Sequence, residues 1–293
     1  MKVLNFGSLN VDYVYQVDHM VKPGETLATT ERNVFFGGKG LNQSIALTKA
    51  GVSVYHAGLI GKGGEGLLKL CKKNGINTDY IRKIDGENGH TIIQVDESGQ
   101  NCILLYGGSN QQITKGFVDE VLAHFQAGDL ILLQNEISEM PYIIDRAYEK
   151  GMMIVCNPSP YNATMEQCDL SKISIFVINE VEGEQITRKS EPIAILQEIE
   201  KRFPTAKVVL TLGSKGVYYH EAGSAIFQEA LKVKAVDTTA AGDTFTGYFI
   251  AGLLEDLCIE ENLKRCVKAS ALTVSRRGAA DSIPTREELE KYE

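Results

Sequence analysis

The sequence has no excess of positive charge: it contains 30 lysines and arginines against 38 aspartates and glutamates, a formal net charge of −8. Nucleic acids and acidic membrane surfaces are bound by basic faces. The charge balance therefore argues against both as the main partner and favours a small molecule. Apolar runs that approach the ~20 residues of a membrane span are also absent, so no membrane contact is expected.

Paired cysteines and clustered histidines are missing as well. The six cysteines are scattered without a C-x-x-C pair, no apolar leader precedes them, and the five histidines are dispersed. This usage predicts reduced thiols in a cytoplasmic protein and gives no metal-ligand spacing. With 43% hydrophobic residues among 293, the chain can bury a full core, and we expect one domain over residues 1–293.

Short apolar runs alternate with amphipathic segments along most of the chain. This alternation is typical of an α/β fold in which helices cover both faces of a mostly parallel sheet. Two stretches, about 11–35 and 89–108, indicate strands without helices, the second a hairpin around DESG. We expect them to form a small β-insertion over the sheet. The predicted main strands are VLNFGSL (3–9), VSVYHAGLI (52–60), DLILLQ (129–134), MMIVC (152–156), IFVI (175–178) and VVLTLG (208–213).

Polar residues follow five of these predicted strands. Ligands of open α/β sheets bind at the carboxyl ends of the strands, so these side chains are expected to converge on one edge. Asn and Asp are also ordinary turn formers, but five strands that end in this way favour a binding crevice. The residues are Asn10 and Asp12, Asn135 and Glu136, Asn157, Asn179 and Glu182, and Thr211, Gly213 and Ser214.

Two glycine-rich stretches offer competing interpretations. GKGGEG (61–66) matches G-x-G-x-x-G after a predicted strand, which keeps a dinucleotide oxidoreductase as an alternative. The acid that such a fold needs ~20 residues later would fall in the polar stretch RKIDGEN, where no strand is expected. FFGGKGLNQS (35–44) looks like a P-loop, but Gly40 follows Lys39 where a Mg²⁺-binding Ser or Thr would be needed. A Walker-type ATPase is therefore disfavoured.

The stretch DTTAAGDTF (237–245) places small residues at the predicted start of a helix. The bare backbone N–H groups of Ala240, Ala241 and Gly242 can surround an oxyanion or a phosphate there. Asp243 beside such an anion hole suits a base that takes the proton of a hydroxyl attacking phosphorus. The alternative is that Asp243 only interacts favourably with the helix dipole.

GGKGLNQ and DTTAAGDTF together resemble the two signatures of the PfkB-type sugar kinases, in particular the ribokinase branch. The resemblance implies a ribokinase-like three-layer α/β/α sandwich with a small β-sheet lid. It implies transfer of the γ-phosphate of ATP to the primary hydroxyl of a sugar, with D-ribose as the first expectation and another sugar or a nucleoside as the alternative. A catalytically silent sugar-binding regulator is disfavoured by Asp243. The shorter matching motifs are GSLNVD, PGET, GGSN, NPSP, NEVEGE, TLGSKGV and RRGAADSIP.

The resemblance also implies roles for individual residues. The implied sugar ligands are Asn10, Asp12, Gly38, Lys39, Asn42 and Glu136, with Asp243 as the base and Ala241 and Gly242 in the anion hole. The implied nucleotide contacts are Asn179, Thr211, Gly213, Ser214 and Gly216, and Glu182 is expected to organise Mg²⁺ through water. One departure concerns GKGGEG, where Lys62 and Gly63 replace acids that are usual in the family near the sugar.

A monovalent cation, usually K⁺, and a homodimer formed through the lids are further expectations from the resemblance. A cation would order the anion-hole loop electrostatically. The alternative for Asp237 is a cap on the following helix. The expected cation ligands are Asp237, Thr239, Thr273, Arg276, Gly278 and Ser282.

Overall fold

The computed structural model describes residues 1–29 and 31–292, in which the chain forms two sheets. The strands are β1 (Val3–Phe6), β2 (Asn10–Gln16), β3 (Glu31–Gly37), β4 (Val54–Lys62), β5 (Asn77–Glu87), β6 (Gly89–Val95), β7 (Asn101–Tyr106), β8 (Leu130–Gln134), β9 (Met153–Asn157), β10 (Ile175–Asn179), β11 (Lys207–Thr211), β12 (Gly216–Glu221) and β13 (Ser224–Glu229). The helices are α1 (Lys39–Lys49), α2 (Glu65–Lys73), α3 (Lys115–Leu122), α4 (Met140–Glu149), α5 (Ala163–Glu166), α6 (Glu180–Thr187), α7 (Pro192–Arg202), α8 (Ala241–Leu254), α9 (Ile259–Val274) and α10 (Arg286–Lys291).

The larger sheet has nine strands in the order β13-β12-β11-β10-β9-β8-β1-β4-β5. The seven strands from β11 to β5 in this order run parallel to one another. At the other edge, β12 pairs antiparallel with β11, and β13 pairs antiparallel with β12. Successive residues of a strand point to opposite faces. Leu130 and Leu132 of β8 accordingly join one core, and Ile131 and Leu133 join the other.

Helices cover each of these two cores. Residues of α1, α2, α8, α9 and α10 pack into the first core, and residues of α3, α4, α5, α6 and α7 pack into the second. The α/β/α sandwich predicted from the alternating apolar runs is therefore confirmed. Because both faces of the central strands are buried, these strands are almost continuously apolar, as in LILLQ of β8.

The second sheet has four strands in the order β3-β2-β6-β7. Its strands come from the two stretches expected to form the β-insertion, although Thr30, within the first of them, lies outside the described residues. β6 and β7 form an antiparallel hairpin, in which Asp96 accepts hydrogen bonds from the backbone N–H groups of Ser98 and Gln100. β2 joins the two stretches because it pairs with β3 on one side and β6 on the other.

The expectation that RKIDGEN contains no strand is wrong. Most of this stretch lies in β5, which pairs with β4 at the edge of the larger sheet. Its residues are partly or fully exposed, so the apolar pattern of a buried strand is missing. The neighbouring GKGGEG loop does not form an anion cradle, because the Asn88 Oδ1 accepts the Gly61 N–H and the Gly61 carbonyl accepts the Gly64 N–H.

A fully buried histidine lies in β4. Burial lowers the pKa of the His56 imidazole from 6.5 to about 4, although its contact with the Gly7 carbonyl opposes the shift. Between these values the unfolded chain binds a proton that the native protein does not bind. The free energy of unfolding therefore falls as the pH falls from 6.5 towards 4, because His56 must stay neutral in the native protein. The loss is about 3 kcal/mol, and above pH 6.5 there is none.

We expect His56→Gln to reduce this acid sensitivity, because an amide keeps a donor and an acceptor but does not titrate. The measurement is the free energy of urea-induced unfolding between pH 4.5 and 7 for the parent and the variant. The difference between the two curves should change with pH across this interval. Parallel curves would show that His56 titrates alike in both states.

Candidate functional site

Polar residues of several strands meet at one edge of the larger sheet. Gln134 ends β8 and pairs with Asn157 of β9, and Asn179 ends β10 and pairs with Thr211 of β11. The start of α8 lies over this edge, because Asp243 is linked to Asn157 through the amide of Gln43. The predicted convergence of strand ends is thus present.

Asp243 lies in the first turn of α8 and is only 7% exposed. Its Oδ2 accepts a hydrogen bond of 3.0 Å from the Nδ2 of Asn42, and its Oδ1 accepts one of 2.9 Å from the Nε2 of Gln43. Both donors belong to α1. The carboxylate is therefore held against the helix that carries the GGKGLNQ motif, while its own helix begins beside it.

The start of α8 has an open set of backbone donors. Ala240, the N-cap residue, adopts the left-handed region with φ 61°, a conformation that costs a non-glycine residue on the order of 1 kcal/mol or more. In the part of the chain that the structure describes, the N–H groups of Gly242 and Asp243 have no hydrogen-bond partner. The space around a Cβ built on Gly242 is empty. This geometry suits an anion.

Close glycine packing brings the GGKG loop to the end of β1. A Cβ on Gly40 would lie 2.3 Å from the Ser8 N and 2.7 Å from the Gly7 Cα, so only glycine fits there. The Oε2 of Glu136 accepts hydrogen bonds from the Ser8 hydroxyl and from the Lys39 N–H, the latter 3.0 Å long. One oxygen of Glu136 therefore anchors the loop, which the sequence did not indicate.

The predicted N-x-D pair lies where the two sheets meet. The Oδ1 of Asn10 accepts a hydrogen bond of 2.7 Å from the Nδ2 of Asn110, and the Oδ1 of Asp12 accepts one from the Thr91 hydroxyl. Gly37 leaves room for Asp12, since a Cβ there would lie 2.2 Å from its Oδ2. Burial raises the pKa of the Asp12 carboxyl, which the Thr91 bond partly offsets.

Opposite charges meet around Lys39. Burial alone would lower the pKa of the Lys39 ammonium, but the charges of Asp243, Glu136 and Glu182 raise it above its ordinary value. Burial raises the pKa of the Glu136 carboxyl, and Lys39 opposes this shift. Within residues 1–29 and 31–292, the Lys39 Nζ makes no hydrogen bond. The site therefore holds a charged donor that is free to contact a bound ligand.

A cavity of about 410 Å³ lies on the other side of the α8 start. Ala241 and Gly242 line it together with the predicted nucleotide contacts Thr211, Gly213, Ser214 and Gly216. The rest of its wall is largely apolar and suits a flat base. Sequence reasoning missed this wall, which consists chiefly of Val217, Leu231, Val233, Phe245, Val267, Ala271 and Val274.

Asn179 and Glu182 lie at the start of α6 and do not line this cavity. They form a capping box: the Oδ1 of Asn179 accepts the Glu182 N–H at 2.9 Å, and the Glu182 Oε2 accepts the Asn179 N–H at 3.1 Å. The carboxylate of Glu182, 5% exposed, is thus engaged in a local structural role.

Asp237 does not cap α8, so that alternative is wrong. Its Oδ1 accepts hydrogen bonds from the N–H and the hydroxyl of Thr239, and its Oδ2 accepts the Gly278 N–H at 3.0 Å. The structure therefore brings three expected cation ligands together. The others have separate contacts: the Thr273 hydroxyl with Thr244, the Arg276 guanidinium with Glu288, and the Ser282 hydroxyl with the Ala279 carbonyl.

Three polar residues in the quoted motifs contact the site but were not assigned a role. They are Ser8 of GSLNVD, Gln43 of GGKGLNQ and Asn110 of GGSN. Each is fully or nearly fully buried. A polar residue on the inward face of an apolar element is the signal that could have found them.

Comparison with known proteins places the whole arrangement in one family. The sequence profile of the pfkB family carbohydrate kinases matches residues 1–286. The chain belongs to this family. Among the described residues of this kinase, no helix is both long and apolar enough to cross a membrane.

Similar proteins agree over nearly the full length of this pfkB-family chain. It is 34% identical to the ribokinase of Haemophilus influenzae, over 98% of this chain and 96% of that protein. The structure of ribokinase from Thermotoga maritima matches with a TM-score of 0.88 and 33% sequence identity, over 99% of this chain and 98% of that protein. The structure of Arabidopsis thaliana ribokinase complexed with ribose and ATP matches with a TM-score of 0.86 and 26% sequence identity, over 100% of this chain and 99% of that protein.

Proposed function

We propose that this protein is an ATP-dependent ribose kinase that transfers the γ-phosphate to the primary hydroxyl of D-ribose. The observation that carries the proposal is the position of Asp243. Its carboxylate lies at the open start of α8, between the GGKGLN loop on one side and the apolar cavity on the other. A base, an anion hole and two ligand regions thus meet at one point.

The sugar side is assigned to polar groups that can bind hydroxyls. Asp12 and Glu136 supply acceptors, and Lys39, Asn42 and Asn10 supply donors. Gly38 begins α1 and lets the loop approach the ligand. Asn42 already donates to Asp243, so a sugar hydroxyl bound by Asn42 would lie next to the base.

Phosphoryl transfer then needs little covalent chemistry from the protein. Asp243 accepts the proton of the attacking hydroxyl, and the N–H groups of Gly242 and Asp243, in the turn that begins at Ala241, face the charge on the transferred phosphoryl group. Thr211, Gly213, Ser214 and Gly216 contact the nucleotide whose base occupies the apolar cavity. Asn179 is assigned to the phosphates of the nucleotide.

Magnesium and potassium fit the oxygen-rich residues of the site. Mg²⁺ retains several waters, so Glu182 would hold it through its water shell, and the bound ion would neutralise phosphate charge. K⁺ suits the carboxylate of Asp237 with the carbonyl groups of Thr239 and the α9–α10 segment. Asp237 ties this segment to the loop before α8 through Gly278.

We expect activity in potassium to exceed activity in sodium or Tris several-fold, because the ion orders the loop that provides the anion hole. The measurement is initial rate against KCl at constant ionic strength. Asp237→Ala should lower the rate and abolish the potassium response together. A flat response in the parent would remove the cation site from this account.

The second sheet is assigned the role of a lid on one kinase domain, and of a dimer interface. Its strand β7 is exposed along its whole length. Apolar faces of this kind mark interaction sites, and a second copy of the lid offers a matching surface. The exposed apolar side chains are Val34, Phe35, Ile92, Ile103, Leu104, Leu105 and Tyr106.

We expect sedimentation equilibrium at micromolar concentration to give the mass of a dimer. Leu104→Asp should shift the protein towards monomer, because Leu104 is 65% exposed and a charge there would be buried on association. Met153→Asp, an exposed position on β9, is the matched control. A monomeric parent would contradict the interface.

The substrate proposal is tested with a panel of acceptors. ATP-dependent phosphorylation of ribose, 2-deoxyribose, arabinose, fructose, glucose and adenosine is measured by coupled ADP release. We expect the highest kcat/KM for ribose. A higher value for another sugar or for a nucleoside would keep the kinase and change the substrate, and the Lys62 departure would then be the first residue to examine.

A further inference from the structure

A chain of buried polar side chains lies behind Asp243. Five of them are 0% exposed. The Nε2 of Gln134 donates to the Oε1 of Gln43 at 2.6 Å and to the Oδ1 of Asn5 at 3.0 Å. The Nδ2 of Asn5 donates to the Ser44 Oγ at 2.7 Å, which lies 2.8 Å from the Nδ1 of His56.

Two carbonyl groups fix the direction of these hydrogen bonds: that of Gly40, which accepts from the Asn5 Nδ2 at 2.7 Å, and that of Gly7 at the far end of the chain. The Gly7 carbonyl can only accept, so the Nε2 of His56 carries the proton and its Nδ1 accepts from the Ser44 hydroxyl. Ser44 then accepts from Asn5, which leaves the Asn5 Oδ1 to accept from Gln134. Each amide in the chain consequently has only one favourable orientation.

This orientation reaches Gln43. Because Gln134 donates to its Oε1, the Nε2 of Gln43 must point to the other side, where it donates to the Oδ1 of Asp243 at 2.9 Å and to the Oδ1 of Asn157 at 3.2 Å. Gln43 is the only direct contact between this buried chain and the carboxylate among the described residues. A flipped Gln43 amide would place its Oε1 against the Oδ1 of Asp243 and the Oδ1 of Asn157, with no proton between the oxygens.

The two contacts of Asp243 differ in what a substrate can change. Asn42 belongs to α1 and is assigned to the sugar, so a bound hydroxyl competes with its bond to the Oδ2. Gln43 is fully buried and keeps its bond to the Oδ1. The Oδ2 is thereby left as the oxygen that faces the hydroxyl.

We propose that Gln43 is a positioning residue for Asp243 and that the buried chain from Gln134 to His56 fixes the orientation of its amide. This inference rests on the proposed function, because it assigns the base of that reaction a fixed rotamer. Burial of five polar side chains costs free energy, and one of their atoms, the Oε1 of Gln134, has no hydrogen-bond partner among the described residues. Their retention next to the base, where apolar side chains could pack, is what the role explains.

The test is a double-mutant cycle with Asp243→Asn. Gln43→Met keeps the length of the side chain but removes both its donor and the Oε1 that accepts from Gln134. We expect it to lower kcat about ten- to hundredfold, the effect of one hydrogen bond to a charged group, with the KM values for sugar and ATP within about threefold. In the Asp243→Asn background, where no base remains to be positioned, the same change should alter kcat less than about threefold.

Two further variants separate positioning from folding. Thr187→Val is the control. It removes a buried hydroxyl of α6 that donates to the Gly183 carbonyl, so it should lower the melting temperature and leave kcat unchanged. Gln134→Met does not touch Asp243 and should reproduce the kcat effect of Gln43→Met in weaker form, so it decides the question if Gln43→Met does not fold.

The outcomes are distinct from those for the proposed function. If the parent phosphorylates no sugar, the proposed function and the inference fail together. If the parent is active and Gln43→Met costs the same factor in both backgrounds, or Gln43→Met and Gln134→Met both leave kcat unchanged, the positioning role alone is overturned. A fall in kcat that occurs only when Asp243 is present, and not in the Asp243→Asn background, supports the positioning role.

Discussion

Replacement of Asp243 by Asn is expected to lower kcat by a factor on the order of 10² to 10⁴, because the proton acceptor is lost. The affinity for ATP should stay nearly unchanged, since the open N–H groups at the start of α8 and the lining of the nucleotide cavity are retained. Steady-state kinetics with ribose and titration with a non-hydrolysable ATP analogue measure the two quantities separately.

Asp145→Asn provides the control for this substitution. Asp145 is an exposed carboxylate whose hydrogen-bond and ion-pair partner is Lys172, and its loss should leave kcat unchanged. Activity of Asp243→Asn within a few-fold of the parent would mean that Asp243 only interacts with the helix dipole. The base would then have to be sought elsewhere.

The second large effect is expected for Lys39→Met. The Lys39 ammonium faces Asp243, Glu136 and Glu182, which raise its pKa, so it is charged at neutral pH. Loss of a charged donor to a sugar hydroxyl should raise the KM for ribose by about ten- to hundredfold. The KM for ATP should change less than about threefold, since Lys39 does not line the nucleotide cavity.

Asn42→Ala should raise the sugar KM in the same direction, and Lys69→Met on α2 is the control for loss of an exposed lysine. Because Asn42 also donates a hydrogen bond to Asp243, the kcat of Asn42→Ala should fall as well. If neither Lys39→Met nor Asn42→Ala changes the KM for ribose, the sugar does not bind at the GGKGLN loop. The second sheet would then be the place to look for it.

The sequence was most informative where backbone geometry limits the choice of residue. The glycines of the GGKGLNQ motif are required by geometry, because a Cβ on Gly40 would lie 2.7 Å from the Gly7 Cα at the end of β1. The small residues at 240–242 likewise indicated open N–H groups at a helix start. The Ala241 N–H donates to the Thr238 carbonyl, whereas those of Gly242 and Asp243 have no partner among the described residues. Buried parallel strands were visible because both of their faces are apolar, as in LILLQ.

Features that depend on tertiary contacts could not be predicted in the same way. The strand β5 was missed because an edge strand needs no apolar face. The anchoring role of Glu136 depends on Ser8, which lies 128 positions away in the chain. Gln43 and the apolar wall of the nucleotide cavity became visible only when the helices were packed together.

Local hydrogen bonds add a structural role in one case and overturn an interpretation in another. Asn179 and Glu182 satisfy each other at the start of α6, a capping box that NEVE spells out but that the functional interpretation passed over. Asp237 is of a residue type that often caps helices, yet its carboxylate oxygens accept hydrogen bonds from the N–H groups of Thr239 and Gly278. Residue type alone could not separate these roles.

The central claim is that Asp243 activates the primary hydroxyl of ribose for attack on the γ-phosphate. The most direct test is phosphorus NMR of the product formed from ATP and ribose labelled with ¹³C at C5. The account predicts one phosphomonoester coupled to the labelled carbon, formed by the parent and at a strongly reduced rate by Asp243→Asn. Phosphate on another carbon, or release of inorganic phosphate without a sugar ester, would contradict it.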